Sequence, residues 1–323
     1  MKYLIAILLC SLSIFFVVCN NTSETKPLEV SIERFDQKLM NFKSKPELQE
    51  FLLANPWYTR DLYRAFPDDT AFVSHLYYII SHPGTQGFYK EVDSTFGDLS
   101  DIKQQFGEAF AHIKEIYPDF VPPKIYTTFT GLENDLYVSD STIIISLEAF
   151  VGPDASYRPD QPEYIIRRYE KQYIVPSIIR LMASKYIKSG GEPTMLNDML
   201  YFGKSFEFTK QVMPETADSI IIAMPDSSLR NNWYAQDLIW AHYIDKNLLY
   251  EQNQRVKEKY LGERPKTPEM GTAVPGRIGQ WLGWRIIDKF RQENPDVSFK
   301  QLMEWTDAAE LLRKSKYRGE VEE

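Results

Sequence analysis

The stretch Lys124–Phe150, "KIYTTFTGLENDLYVSDSTIIISLEAF", decides the fold, because it concentrates β-branched and aromatic residues in a chain that otherwise reads as helix. Asn134-Asp135 and Asp140-Ser141 break it, so it predicts two or three strands between Lys124 and Leu147. Downstream, apolar residues recur at helical spacing over roughly 164–188, 194–213, 228–246, 276–293 and 298–315, and only Ser219–Ala223 could form another strand. Upstream, Ser44 and Glu47 form a capping box with Pro46 in the first turn, ahead of Leu48, Leu52 and Leu53. Further helical patterns cover 58–66, 70–81 and 100–116, the last with a stripe of Ile102, Phe106, Phe110 and Ile113. A small central sheet within a mostly helical chain is an α+β domain.

The 323 residues are 43% hydrophobic, enough for a sizeable core, and the formal charge of -8 leaves no basic stripe for phosphates. No nucleic-acid partner is expected. At the N-terminus Met1-Lys2 precedes Tyr3–Val18, a charge-free run shorter than the roughly 20 residues of a membrane span. Residues 1–18 read as a signal peptide, Cys19 as the lipid-accepting residue of a bacterial lipoprotein, and 19–29 as a polar tether before one domain, 30–323. Val18 stands where a lipobox normally has a small residue. A retained transmembrane anchor and an ordinary cleaved signal are the alternatives. Cys10 lies inside the removed segment, so Cys19 would be the sole remaining cysteine and no intramolecular disulfide could form.

Catalytic signatures are sparse. The histidines His75, His82, His112 and His242 include no His-Glu-x-x-His, and no Gly-x-Ser-x-Gly elbow occurs. Gly203-Lys204-Ser205 imitates the end of a phosphate loop, but Asp198 replaces its first glycine and the flanking residues read as helix. Carboxylate pairs such as Asp68-Asp69 fit caps and turns. Trp233, Trp240, Trp281, Trp284 and Trp305 crowd the C-terminal third, where burial in a core explains them better than a ligand platform.

The second informative stretch is Thr272–Phe290, "TAVPGRIGQWLGWRIIDKF", because each interior helical glycine costs about 1 kcal/mol. On a wheel Gly276, Gly279 and Gly283 share one face, continued by Ile286, Ile287 and Phe290, with Pro275 in the first turn. Trp281, Trp284 and Ile278 cover the other sides, so the helix is expected inside the domain, and Arg277 and Arg285 then need acceptors. Gly276, Gly279, Trp281, Gly283, Trp284, Arg285, Trp240 and His242 are the candidate cleft or partner surface.

"SIERFD" at 31–36, "IWAHYIDKNLLY" at 239–250, "VPGRIGQWLGWRIIDKF" at 274–290 and "VSFKQLMEWTDAAELLRKSKY" at 297–317 together resemble the GldB gliding-motility lipoproteins of the Bacteroidetes. The resemblance spans about Val30 to Tyr317 and implies an envelope lipoprotein of the gliding or associated secretion apparatus. That family is in turn similar to predicted zinc proteases of zincin-like arrangement. Their metal helix would correspond to "YIVPSIIRLM", where this chain has Val175, Pro176 and Ile179 in place of His, Glu and His, and Phe202 near a further ligand position. The resemblance therefore implies a peptidase shape without metal, cofactor or catalysis, the glycine face packing on the helix Ile174–Met182. Its partners would be the membrane, through the lipid, and other envelope proteins on the periplasmic side. An active metallopeptidase with an atypical ligand set including His242, and a peptide- or glycan-binding module, are the competing readings.

Overall fold

The computed structural model describes residues 25–320. The signal peptide and Cys19 lie outside the described residues. Four strands form one mixed sheet in the order β1-β2-β4-β3: β1 Ile32–Arg34, β2 Lys124–Thr128, β3 Leu136–Val138 and β4 Thr142–Ser146. β2 runs parallel to β1 and β4, with Ile125 opposite Ile32 and Ile143, while β3 is antiparallel to β4. The three strands expected between Lys124 and Leu147 are present. β1 was not expected, because three residues carry no readable alternation and its pairing comes entirely from β2. Ile143, Ile144 and Ile145 are all buried, the pattern of a strand covered on both faces.

The N-terminal helices are α1 Phe35–Asn41, α2 Lys45–Ala54, α3 Pro56–Tyr58, α4 Thr70–Ser81, α5 Pro83–Phe96 and α6 Ser100–Ile116. α4 and α6 occupy the expected residues. The Ser44 hydroxyl accepts from the Glu47 N–H as the capping box requires, while the Glu47 carboxylate accepts from the Lys43 backbone N–H, not that of Ser44, and from the Ser44 hydroxyl. Residues 58–66 are not one α-helix: a π-turn at Thr59–Tyr63 ends on Arg64 in the left-handed region at φ 54°. The backbone N–H of Leu28 already donates to the Gly107 carbonyl of α6 at 3.0 Å, so the tether docks before residue 30.

The C-terminal half contains α7 Glu163–Ile166, α8 Ile174–Met182, α9 Met195–Val212, α10 Asp218–Ile221, α11 Asp226–Tyr234, α12 Gln236–Asp245, α13 Gln254–Leu261, α14 Ile278–Glu293, α15 Phe299–Glu304 and α16 Ala308–Ser315. Several long expected helices are broken. The span 164–188 restarts at Ile174, which places Pro176 in a first turn where its missing N–H costs nothing. The span 298–315 breaks at Trp305, after which Asp307 caps α16 through the Glu310 N–H. The span 228–246 breaks at Ala235. Ser219–Ala223 is not a strand, since most of it belongs to α10; a short apolar run does not distinguish the two states by itself. α14 packs chiefly along α9, and no helix among the described residues is long and apolar enough to cross a membrane.

Candidate functional site

α14 begins at Ile278, later than its sequence suggests. Pro275 instead pairs with Lys266 in an antiparallel bridge, and Arg277 turns the chain into the helix at φ 60°. Gly276 is therefore not on the helical face. A side chain at Gly276 would stand 1.9 Å from the Arg264 carbonyl oxygen, so the bare backbone serves that loop. Gly279 faces the side chains of Leu261 and Tyr243, whereas Gly283 would collide with the Met199 carbonyl oxygen at 1.9 Å. A side chain at Gly203 of α9 would in return stand 2.5 Å from the Gly283 carbonyl oxygen. Gly283 thus admits α9, and Gly279 admits side chains from α12 and α13; neither meets the expected helix Ile174–Met182. A wheel identifies a face but does not say which element arrives on it.

The tryptophans belong to the core. Trp281, Trp284 and Trp240 are buried, so they offer no accessible partner surface. The Trp284 indole donates to Glu207 at 2.9 Å, and Glu207 also accepts from Arg291. Trp240 meets the ring of buried Tyr317 edge-on at 5.3 Å, which gives the closing Ser315-Lys316-Tyr317 segment a packing role. Arg285 lies over Trp233, 4.6 Å from the ring centre, and bonds Asp288 at 2.7 Å. His242 contacts the Tyr260 hydroxyl at 3.1 Å, and burial with nearby Lys246 lowers its pKa, favouring the neutral imidazole. Among the described residues no three His, Cys, Asp or Glu side chains gather as a metal site. Lys204 sits mid-helix with its ammonium on the Trp305 carbonyl, and burial pushes its pKa down to about 8.

On another flank of α9 lies a cavity of about 740 Å³, bounded by α8, α9 and α13. Arg180 and Ser184 line it from the α8 side, Tyr201, Phe202 and Ser205 from α9, and Glu263 from beyond α13. Val175, Pro176 and Ile179 point elsewhere: they are buried in the core and supply only hydrocarbon. Sequence reading identified neither Arg180 nor Glu263, although a lone cation in the apolar run "IVPSIIRLM" was a usable signal.

The charges here converge on one carboxylate. Arg168 donates to both oxygens of Glu263 at 2.7 Å, and Arg277 Nε lies 3.5 Å from the same group. Burial alone would raise the Glu263 pKa, but the Arg168 bonds and the surrounding arginine charges hold it below the usual range. Buried Arg277 finds the acceptors it requires in the carbonyls of Ile222 and Ala223, at 2.8 and 2.7 Å. Arg180 is different. Its guanidinium sits 5.8 Å from the Phe206 ring, burial and Arg168 both disfavour its charge, and no acceptor among the described residues lies within hydrogen-bond distance.

No curated protein and no solved structure matches the chain. The sequence signature described as gliding motility protein GldB matches residues 19–319, nearly the whole chain, in agreement with the resemblance read from its motifs. The chain belongs to the gliding motility protein GldB family.

Proposed function

We propose that this protein is a lipid-anchored component of the cell envelope, facing the periplasm, that serves the gliding or associated secretion machinery as a non-catalytic structural or assembly part. Membership of the gliding motility family supports the machinery. The uncharged run Tyr3–Val18 followed by Cys19 supports the anchor. What supports the non-catalytic role is the chemistry of α8: the positions that a zincin-like resemblance would align with a peptidase's metal helix hold Val175, Pro176 and Ile179, packed into the core without a donor atom. The residues that line the neighbouring cavity include an arginine and a glutamate already bound by arginine, with no histidine or cysteine among them.

Replacing the chromosomal copy with Cys19→Ser tests the anchor and the machinery together. The variant is expected to leave the membrane fraction and to abolish colony spreading. Membrane retention of the variant would refute the lipid anchor. Stoichiometric zinc in the purified full-length protein would refute the non-catalytic reading.

A further inference from the structure

The α8–α13 cavity contains half of an ion pair. A guanidinium carries five donors, and taking it partly out of water without an acceptor is costly. Arg180 is in that position: burial and the Arg168 charge disfavour its cation, and the Glu263 charge offsets them only in part. Glu263 is the nearby carboxylate that could pair with it, but Arg168 occupies both Glu263 oxygens and Arg277 approaches from another side. Three arginines therefore share one carboxylate, and Arg180 is left facing the cavity. Structural arginines in this protein are satisfied differently: Arg277 by two carbonyls, Arg291 by Glu207.

The space beside Arg180 suits a ligand. About 740 Å³ lies within the range that holds a small organic molecule or a short peptide segment. Tyr201, Phe202 and Leu261 provide apolar wall. The hydroxyls of Ser184 and Ser205 donate to the carbonyls of Leu181 and Phe202, which leaves their oxygens free to accept. The remaining charges limit what can enter. Asp198 is neutralised by Lys257 at 2.6 Å, but Glu258 and Glu263 also line the cavity, and their potential opposes a dianion more strongly than a monoanion.

We propose that this cavity binds a ligand through a carboxylate group held by the Arg180 fork, with the apolar part of the ligand against Tyr201, Phe202 and Leu261. A planar carboxylate matches guanidinium geometry, which an ammonium does not. The carboxylate belongs either to a free organic acid or to the C-terminus of a peptide, and the two sources present the same group to Arg180.

Calorimetric titration of the full-length protein in detergent micelles tests this. The probes are N-acetyl-leucine, the tripeptide Ala-Leu-Phe with a free C-terminus, the same tripeptide as its amide, and inorganic phosphate. The two carboxylates are expected to bind, the amide and phosphate at least about tenfold more weakly, and Arg180→Met to abolish binding. Tighter binding of the tripeptide assigns the carboxylate to a peptide; equal binding of N-acetyl-leucine assigns it to a small acid. Because Arg180→Met removes a charge without a hydrogen-bonded acceptor and keeps the stem, its melting temperature should equal or exceed that of the parent. If Arg180→Met does not fold, Arg180→Lys keeps the charge without the fork and should weaken carboxylate binding several-fold. No binding by either carboxylate at millimolar concentration, equal affinity for acid and amide, or unchanged affinity in the folded variants would overturn the proposal.

Discussion

The flanks of α9 are built on opposite rules. Along one, α14 crosses so closely that Gly203 and Gly283 bring backbone onto backbone, and the polar group nearby, Glu207, is satisfied by Trp284 and Arg291. Along the other, α8 and α13 stand away from Tyr201 and Phe202 and leave a cavity whose cation, Arg180, has no acceptor. Adjacent residues of one helix, Phe202 and Gly203, thus face an open space and a closed seam. The pairing of Glu207 marks the seam as structural, because a buried carboxylate left unpaired there would reduce stability with no return. An unpaired group beside open space has another way to be satisfied.

The largest expected effect comes from forcing the closed flank open. Gly283→Ala places a carbon where only the Met199 backbone can move aside, and should destabilise the fold by about 3 kcal/mol despite the better helix propensity of alanine. Gly279→Ala meets the flexible ends of Leu261 and Tyr243 and should cost about 1 kcal/mol in the same urea titrations. Equal costs would show that the seam is not the tight point.

A buried carboxyl away from both flanks sharpens the rule about unpaired groups. Glu148 has one oxygen accepting from the Thr130 N–H and hydroxyl and from the Leu132 N–H, while its other oxygen has no partner. Here the crevice beside the group has no room for a water molecule, and burial instead pushes the pKa up to about 7. The folded state then holds a proton that the unfolded state loses above its ordinary carboxylate pKa. Stability should be fully present below that value and decline as pH rises through about 7, by roughly 3 kcal/mol. Glu148→Gln should remove most of this slope in unfolding measured from pH 4 to 8; an unchanged slope would assign the titration elsewhere.

An effect as small as that of Gly279→Ala is expected at Glu207→Gln. The amide keeps one acceptor and loses the charge that Arg291 uses, a change of about 1 kcal/mol because Arg291 is partly exposed. A much larger loss would mean that Glu207 orients the α9–α14 crossing and does more than satisfy it.

Local pattern carried far where local physics decides. α4 and α6 occupy the residues read from periodicity, and the β-branched residues of β4 announced a strand. It failed where one residue interrupts a good pattern. Pro176 and Trp305 lie within apolar periodicities that continue past them, so the breaks at 174 and 305 were not visible. The candidate site was the least legible part. Trp240, Trp281 and Trp284 drew attention by type and proved to be core, whereas Arg180 and Glu263 look like ordinary charges until α8 and α13 are placed beside α9.

The sequence by itself determined the α+β class, the family, and the need for bare backbone at Gly279 and Gly283, because periodicity, motif spacing and glycine cost are properties of neighbouring residues. Only the tertiary structure decided that α9 is the helix Gly283 admits, that Gly276 serves a loop, and that Glu263 is occupied by Arg168 and leaves Arg180 unpaired. The physical reason is that a charge is satisfied or left wanting by its spatial neighbours. Arg168 and Glu263 meet across nearly a hundred residues of chain, and no local pattern encodes that meeting.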